Sequence, residues 1–342
     1  MTPSSESLDV VGATAALAYF GRLTTSELAH AYLFYGTRGV GKKTFARQLA
    51  QSLLCQEEKA GVLGYDGTCA ACTSFAAGTH PDFHELVGPI SIRRKPSDEQ
   101  DDPNSVDFVR EMSMRPYFGR WRVALLGDVA FATDDAAANA LLKFLEDPPA
   151  DVLVVLTSSN PGSILPTLRS RSLAIEFGPA SPAQIAAALE RDGVSLERAA
   201  VAADAAFGSI GRAIEILDEV ETGLRNASFA WFAAAVGGGT PDATFLGLGD
   251  KDLSAGQKRQ NVGAMLETLR ALARDRLAVA LAGSDVRLAA PDARATLARL
   301  PQHSSHQVLA AVEAIEDVAR IAESNVSASL VVDYLRMRLA PK

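Results

Sequence analysis

Five short apolar runs rich in β-forming residues punctuate the first half of the chain: Ala31–Tyr35, Phe83–Val87, Trp121–Leu126, Val152–Thr157 and Leu173–Phe177. Longer segments of helical or mixed period separate most of them. Strands that alternate with helices predict a parallel sheet covered by helices on both faces. The clearest helix is predicted over Asp134–Glu146, where Ala138, Leu141, Leu142 and Leu145 form an apolar stripe. Thr133 can cap it, Asp134 and Asp135 complement its dipole, and Pro148-Pro149 stops it. After Phe177 the strand signals fade. Pro179 and Pro182 mark a linker, and helical spacing in an alanine- and leucine-rich background continues over Gln184–Arg191, Leu196–Ala206 and Gly211–Val220. Gly237–Gly239 and the stretch from Pro241 to Gly256 read as breaks in this helical half, residues 89–105 as an exposed polar loop, and there is no tandem repeat.

The 342 residues are enough for two or three domains. A hydrophobic content of 48% and a charged content of 22% suit a soluble globular chain. The formal net charge of -8 changes the picture more, because an acidic chain does not draw in DNA through its overall field. Nucleic-acid contact is therefore expected to be local or to come through partners. The N-terminal stretch MTPSSESLDV lacks a basic region and an apolar core, so no secretory leader is expected there. No run reaches the roughly 18 apolar residues of a membrane span. Three cysteines, an odd number, argue against a disulfide framework. A cytoplasmic protein is expected.

Directly after the first run comes Gly36-Thr37-Arg38-Gly39-Val40-Gly41-Lys42-Lys43-Thr44, followed by the helical stretch Phe45–Leu54. A glycine-rich turn between strand and helix presents backbone N–H groups to phosphates, and the lysine of G-x-x-x-x-G-K reaches the terminal ones. The next position normally carries a Ser or Thr hydroxyl for Mg²⁺. Here it is Lys43, a cation that cannot coordinate a cation. Thr44 follows about 100° further round the helix and does not fill the vacancy without a register shift. A second acidic motif is expected at the end of a buried strand. The third run leads into Gly127-Asp128-Val129, in which Asp128 can stand for the metal-binding acid while Val129 occupies the place of the general base. Two defects of this kind argue against a working ATPase and leave nucleotide binding open beside a bland alternative, a glycine turn that only packs helix on strand.

Together these residues resemble the bacterial DNA polymerase III clamp-loader family of AAA+ proteins over about the first 215 residues. The loop Gly36–Thr44 resembles the family's Walker A. Leu54-Cys55, Cys69-Ala70-Ala71-Cys72 and Ala77-Gly78-Thr79-His80-Pro81-Asp82 are similar to its inserted zinc module and the strand after it. Residues Ala136–Pro149 match the family's "aaaNALLKtLEePP" run, and Leu168-Arg169-Ser170-Arg171-Ser172 resembles its "SRC" motif. The resemblance implies an α/β P-loop AAA+ domain with a parallel sheet over residues 1–178, carrying the zinc-module insertion at about 55–82. A small helical lid domain over 179–222 and an all-α collar domain over 223–342 are implied after it. Motor subunits of the gamma/tau type carry GK[ST], an Asp-Glu pair and a long tail. Lys43, Val129 and the chain length resemble instead the delta-prime branch, whose members are degenerate at these sites, and a subunit of that branch is expected.

For that branch the resemblance implies no hydrolysis, doubtful ATP or ADP binding, and a place in a heteropentameric ring with gamma/tau and delta subunits. The ring would act on the sliding clamp and on primer-template DNA. Arg171 is then the trans arginine finger for a neighbour's ATP, a role that suits a permanently charged, planar guanidinium; the bland alternative is an ion pair with nearby acidic surface. Gly36, Gly39, Gly41, Lys42, Lys43, Thr44 and Asp128 form the degenerate nucleotide site. Residues 157–160 stand where the family has its sensor-1 polar residue, and an ordinary strand-end turn explains them equally well. Arg212 stands one place beyond the sensor-2 arginine and reads as a solvated helix residue. Cys55, Cys69 and Cys72 match three of the family's four zinc ligands, with Asp66 in the remaining position and His80 and His84 as other conceivable ligands. A vestigial module with free thiols is the alternative. A second functional reading is a self-sufficient, ATP-hydrolysing gamma/tau-type motor.

Overall fold

The computed structural model describes residues 10–57, 59, 61–87, 105–127, 142–159, 164, 166–221, 223–283, 286, 288–301, 304–322 and 326–340. Contacts divide the chain into two compact units, Met1–Ser181 and Pro182–Lys342.

The first unit is built on β1 (Ala31–Tyr35), β2 (Phe83–Val87), β3 (Arg122–Gly127), β4 (Val152–Ser158) and β5 (Leu173–Glu176). They form one parallel sheet in the order β2-β3-β4-β1-β5. Its helices are α1 (Thr14–Phe20), α2 (Lys42–Leu54), α3 (Ala70–Ala76), α4 (Ser105–Met112), α5, described over residues 142–146, and α6 (Pro166–Arg169). The expected helix over 134–146 is thus observed in its last turn, and the remainder lies outside the described residues, as does most of the loop expected over 89–105.

Because side chains alternate along a strand, each strand feeds two cores. Tyr32, Phe34, Val123, Leu125, Leu153, Val155 and Ile175 pack with Phe20 of α1 and Phe45 and Leu49 of α2. Ala31, Leu33, Ala124, Leu126, Val154 and Leu156 face Met112 of α4, Phe144 and Leu145 of α5, and Leu168 of α6. The clustered rings of Phe20, Tyr32, Phe34, Phe45 and Phe177 fill the space behind the glycine loop.

The second unit is helical: α7 (Pro182–Arg191), α8 (Leu196–Ala205), α9 (Ile210–Glu221), α10 (Leu224–Val236), α11 (Ala255–Ala282), α12 (Arg294–Arg299), α13 (Ser305–Ala322) and α14 (Ala328–Leu339). The expected break after Gly237 is present, and α11 starts behind a capping box in which Ser254 and Gln257 satisfy each other's backbone N–H. Met265, Leu269 and Leu272 of α11 pack among Trp231 and Phe232 of α10, Ile315 and Val318 of α13, and Leu335 of α14. Several buried polar groups inside this unit are paired. Arg225 donates to Asp292 at 2.6 and 3.0 Å, and Thr268 donates to Glu219 at 2.9 Å. Among the described residues no helix is long and apolar enough to cross a membrane.

Candidate functional site

The glycine loop joins β1 to α2 at the carboxyl end of the sheet, the end at which parallel α/β sheets bind ligands. Gly36, Gly39 and Gly41 all take positive φ angles, of 148°, 77° and 94°. Gly36 is obligatory on packing grounds too, since a β-carbon there would fall 2.2 Å from the Phe177 carbonyl oxygen. Lys42 is the first residue of α2 and only 7% exposed. Its ammonium donates to the carbonyls of Gly36 and Thr37, each at 2.7 Å, which closes the loop around its own lysine.

Lys43 points differently. A β-carbon built on Gly127, the last residue of β3, would lie 2.9 Å from both Cε and Nζ of Lys43. The lysine therefore lies across the strand end, in space left by a missing side chain. The pleat explains why it meets Gly127: Val123 and Leu125 face α2, so position 127 faces α2 as well. Asp128 and Val129, read from the sequence as the metal-binding acid and the residue in place of the base, lie outside the described residues. Lys43 and Thr44 also line a shallow cleft with Arg47, Gln48, Gln51 and Glu85, in which Arg47 and Glu85 are ion-paired at 2.6 Å.

Arg171 follows α6. Its guanidinium pairs with the carboxylate of Glu146 in α5 and donates to the Thr167 carbonyl at 3.1 Å. Both partners are partly exposed, with side-chain exposures of 32% and 53%. Thr157 and Ser158, of the polar run after the fourth strand, are buried at the end of β4.

Cys55, Asp66, Cys69 and Cys72 come together although 17 positions separate the first from the last in sequence. Cys55 ends α2, Cys69 caps α3 and Cys72 lies in its first turn. One potential ligand atom from each lies within 4.8 Å of all the others; Cys55 Sγ is 3.5 Å from Asp66 Oδ1 and 4.0 Å from Cys69 Sγ. Three thiols and a carboxylate at these separations fit one tetrahedral ion with metal–ligand distances of about 2.0–2.3 Å. Asp66 is preset as an acceptor by the Thr68 hydroxyl at 2.8 Å and the backbone N–H of Thr68 and Cys69, which hold its carboxyl below the usual range. Burial pushes the Cys72 thiol up. Lys59 stands beside the cluster; burial lowers its ammonium to about 8 while Cys55 and Cys72 oppose the shift. His80 and His84 are engaged elsewhere. His80 Nδ1 accepts from the Asp82 backbone at 3.1 Å, and His84 Nδ1 pairs with Glu111 at 3.2 Å.

Sequence reasoning took Arg212 for a solvated residue. The structure corrects this, because its side chain is 15% exposed and bound to Glu219 at 2.5 Å and to Glu215 at 3.3 Å. The acids at i+3 and i+7 on the same helical stretch were the missed signal. The Lys43–Gly127 contact was missed too. Only the strand alternation counted forward from Val123 could have found it.

Residues 15–181 match the family described as DNA polymerase III, delta subunit. The delta' subunit of DNA polymerase III from Pseudomonas aeruginosa is 42% identical over 150 residues, which is 43% of this chain and 42% of that protein. The Bacillus subtilis delta' subunit is 31% identical over 217 residues, 64% of this chain and 60% of that protein. The gamma/tau subunit from Mycobacterium tuberculosis is 30% identical over 222 residues, 62% of this chain and 36% of that protein. The chain thus spans less than two thirds of the length of each of these relatives.

Proposed function

We propose that this chain, whose residues 15–181 match the family described as DNA polymerase III, delta subunit, is a delta-prime-type clamp-loader subunit that completes a loader ring without hydrolysing ATP. The observation that carries the reading is Lys43 lying across Gly127, where a hydrolytic loop needs a hydroxyl and a metal. Its partners in this reading are gamma/tau- and delta-type subunits, and through the assembled ring the sliding clamp and primer-template DNA. Arg171 is its contribution to chemistry. Its partner Glu146 is half exposed, and an exposed pair of this kind contributes about 0–1 kcal/mol, so a neighbour's phosphate can displace it. Cys55, Asp66, Cys69 and Cys72 would hold a structural Zn²⁺ that ties α2 to α3; the ion supplies cross-linking and no catalysis.

Two measurements test the reading together. The purified chain alone should show no ATP turnover above background. Mixed with gamma/tau- and delta-type subunits, it should co-purify with them and raise their DNA- and clamp-stimulated ATPase. Steady turnover by the isolated chain that Lys42→Ala abolishes would favour the motor reading instead.

A further inference from the structure

A magnesium ion does not fit the glycine loop of this chain. The space beside the end of β3 is occupied by the side chain of Lys43, and an ammonium has three donors and no acceptor to offer a cation. The same geometry does suit an anion. The loop is already shaped, with glycines in the left-handed region and Lys42 tethered to its rim by two hydrogen bonds. A second ammonium, that of Lys43, follows on the first turn of α2 and lies at the end of β3, and Lys43 and Thr44 line a cleft with Arg47, Gln48, Gln51 and Glu85.

Charge gives the arrangement its meaning. In a hydrolytic loop the residue after the lysine offers a neutral hydroxyl, the strand end offers a carboxylate, and the two hold a dication. Together these carry about one net positive charge beside the phosphates. Here Lys43 replaces the hydroxyl and Gly127 stands at the strand end on the face of α2, and the pair also carries one positive charge. The tip of Lys43 uses the room that Gly127 leaves, since a β-carbon there would lie 2.9 Å from its Cε and Nζ and the lysine would have to shift.

We propose that Lys43 and Gly127 together replace the hydroxyl, the carboxylate and the Mg²⁺ of a hydrolytic site, so that the loop binds a nucleoside di- or triphosphate without any divalent cation. The Lys43 ammonium donates to terminal phosphate oxygens as the ion otherwise would coordinate them. With no metal to polarise the phosphate, the nucleotide is held intact. This inference rests on the non-hydrolysing reading above and adds a ligand to it.

The full-length chain is titrated with fluorescent N-methylanthraniloyl derivatives of ADP and ATP, followed by anisotropy, once in excess EDTA and once in excess Mg²⁺. Affinity is expected to agree within about twofold between the two conditions, because the ion has no seat. Lys43→Thr should weaken binding in EDTA by about tenfold or more, the loss of one charge-assisted contact. The double variant Lys43→Thr with Gly127→Asp should bind in Mg²⁺ and not in EDTA, and thermal melts check that it folds. Wild-type binding that requires Mg²⁺ overturns the proposal, as does no binding under either condition or an unchanged affinity of Lys43→Thr in EDTA. The wild-type comparison needs no variant and decides by itself. A chain that joins the loader ring yet binds no nucleotide would sink this inference alone. Magnesium-dependent turnover would sink the non-hydrolysing reading with it.

Discussion

Arg171 is held between a carboxylate of its own chain and the task proposed for it. The Glu146 partner keeps the guanidinium oriented at little energetic cost, as expected of a partly exposed pair. Arg171→Ala should therefore change folding stability by no more than about 0.5 kcal/mol in a thermal or denaturant melt. In a reconstituted loader the same variant should lower DNA-stimulated ATPase and clamp loading. A trans finger contributes about 10³–10⁵ at the site it serves, diluted here because the other sites of the ring keep their own fingers. Arg171→Lys should recover only part of the loss, since it keeps the charge and loses the fork. Unchanged loader kinetics in Arg171→Ala would reduce the chain to a scaffold. Asp66 invites a different measurement. Protein prepared without chelators should contain close to one zinc per chain by elemental analysis, and Asp66→Cys should slow its loss to a chelator, because thiolate is the better structural ligand. Metal-free protein under those conditions would show that the four residues are a relic.

At the level of elements, the strand β2 is anchored at its start by a buried polar cluster. Asp82 accepts from the backbone N–H of Tyr117 and Phe118 at 2.7 and 2.8 Å and from Arg122 of β3 at 3.2 Å, while His80 orients its backbone. Burial depresses the pKa of His80 below its ordinary 6.5, with Asp82 opposing the shift. The folded state thus takes up the histidine proton less readily than the unfolded chain. The stability contributed by neutral His80 is full above the unfolded pKa of about 6.5 and is lost as pH falls below it toward the folded value. Melting temperature should drop across that window, and His80→Asn, which keeps an acceptor for the Asp82 N–H and removes the titration, should flatten the drop. An equally steep drop in the variant would assign the effect elsewhere. The elements themselves were legible in the sequence. All five apolar runs are strands within one or two residues of their expected ends, and Gln184–Arg191, Leu196–Ala206 and Gly211–Val220 are helical, because period-2 and period-3.6 patterns are local properties. The Cys55, Asp66, Cys69 and Cys72 grouping was legible through the resemblance to the family's zinc module, whose ligand positions they match. What stayed hidden was contact between distant segments. Nothing near Arg171 in sequence points to Glu146, and nothing near Lys43 points to Gly127, because each contact joins segments far apart in the chain.

The molecule as a whole carries a net charge of -8, and its positive groups described above are mostly bound to acids or carbonyls of the same chain. The isolated protein is therefore expected to show no appreciable affinity for a fluorescent primer-template duplex at physiological salt, where even non-specific binders reach only about 10⁻⁴–10⁻⁶ M. Anisotropy that rises steeply as salt is lowered, with a slope signalling several phosphate contacts, would contradict that and give the chain a DNA surface of its own. The crossing of Lys43 over Gly127 also bears on descent. Gly127→Asp alone would set a carboxylate against the Lys43 ammonium, and Lys43→Thr alone would leave a hydroxyl with no carboxylate at position 127. A seat for a metal needs both changes at once, because the aspartate alone leaves an ammonium where the ion would sit and the threonine alone leaves no carboxylate at position 127. On the non-hydrolysing reading proposed above, a lineage that has made this exchange stands behind an evolutionary ratchet: regaining an engine would take two coordinated changes, so selection is left to improve the part as a fixed member of a machine that others drive.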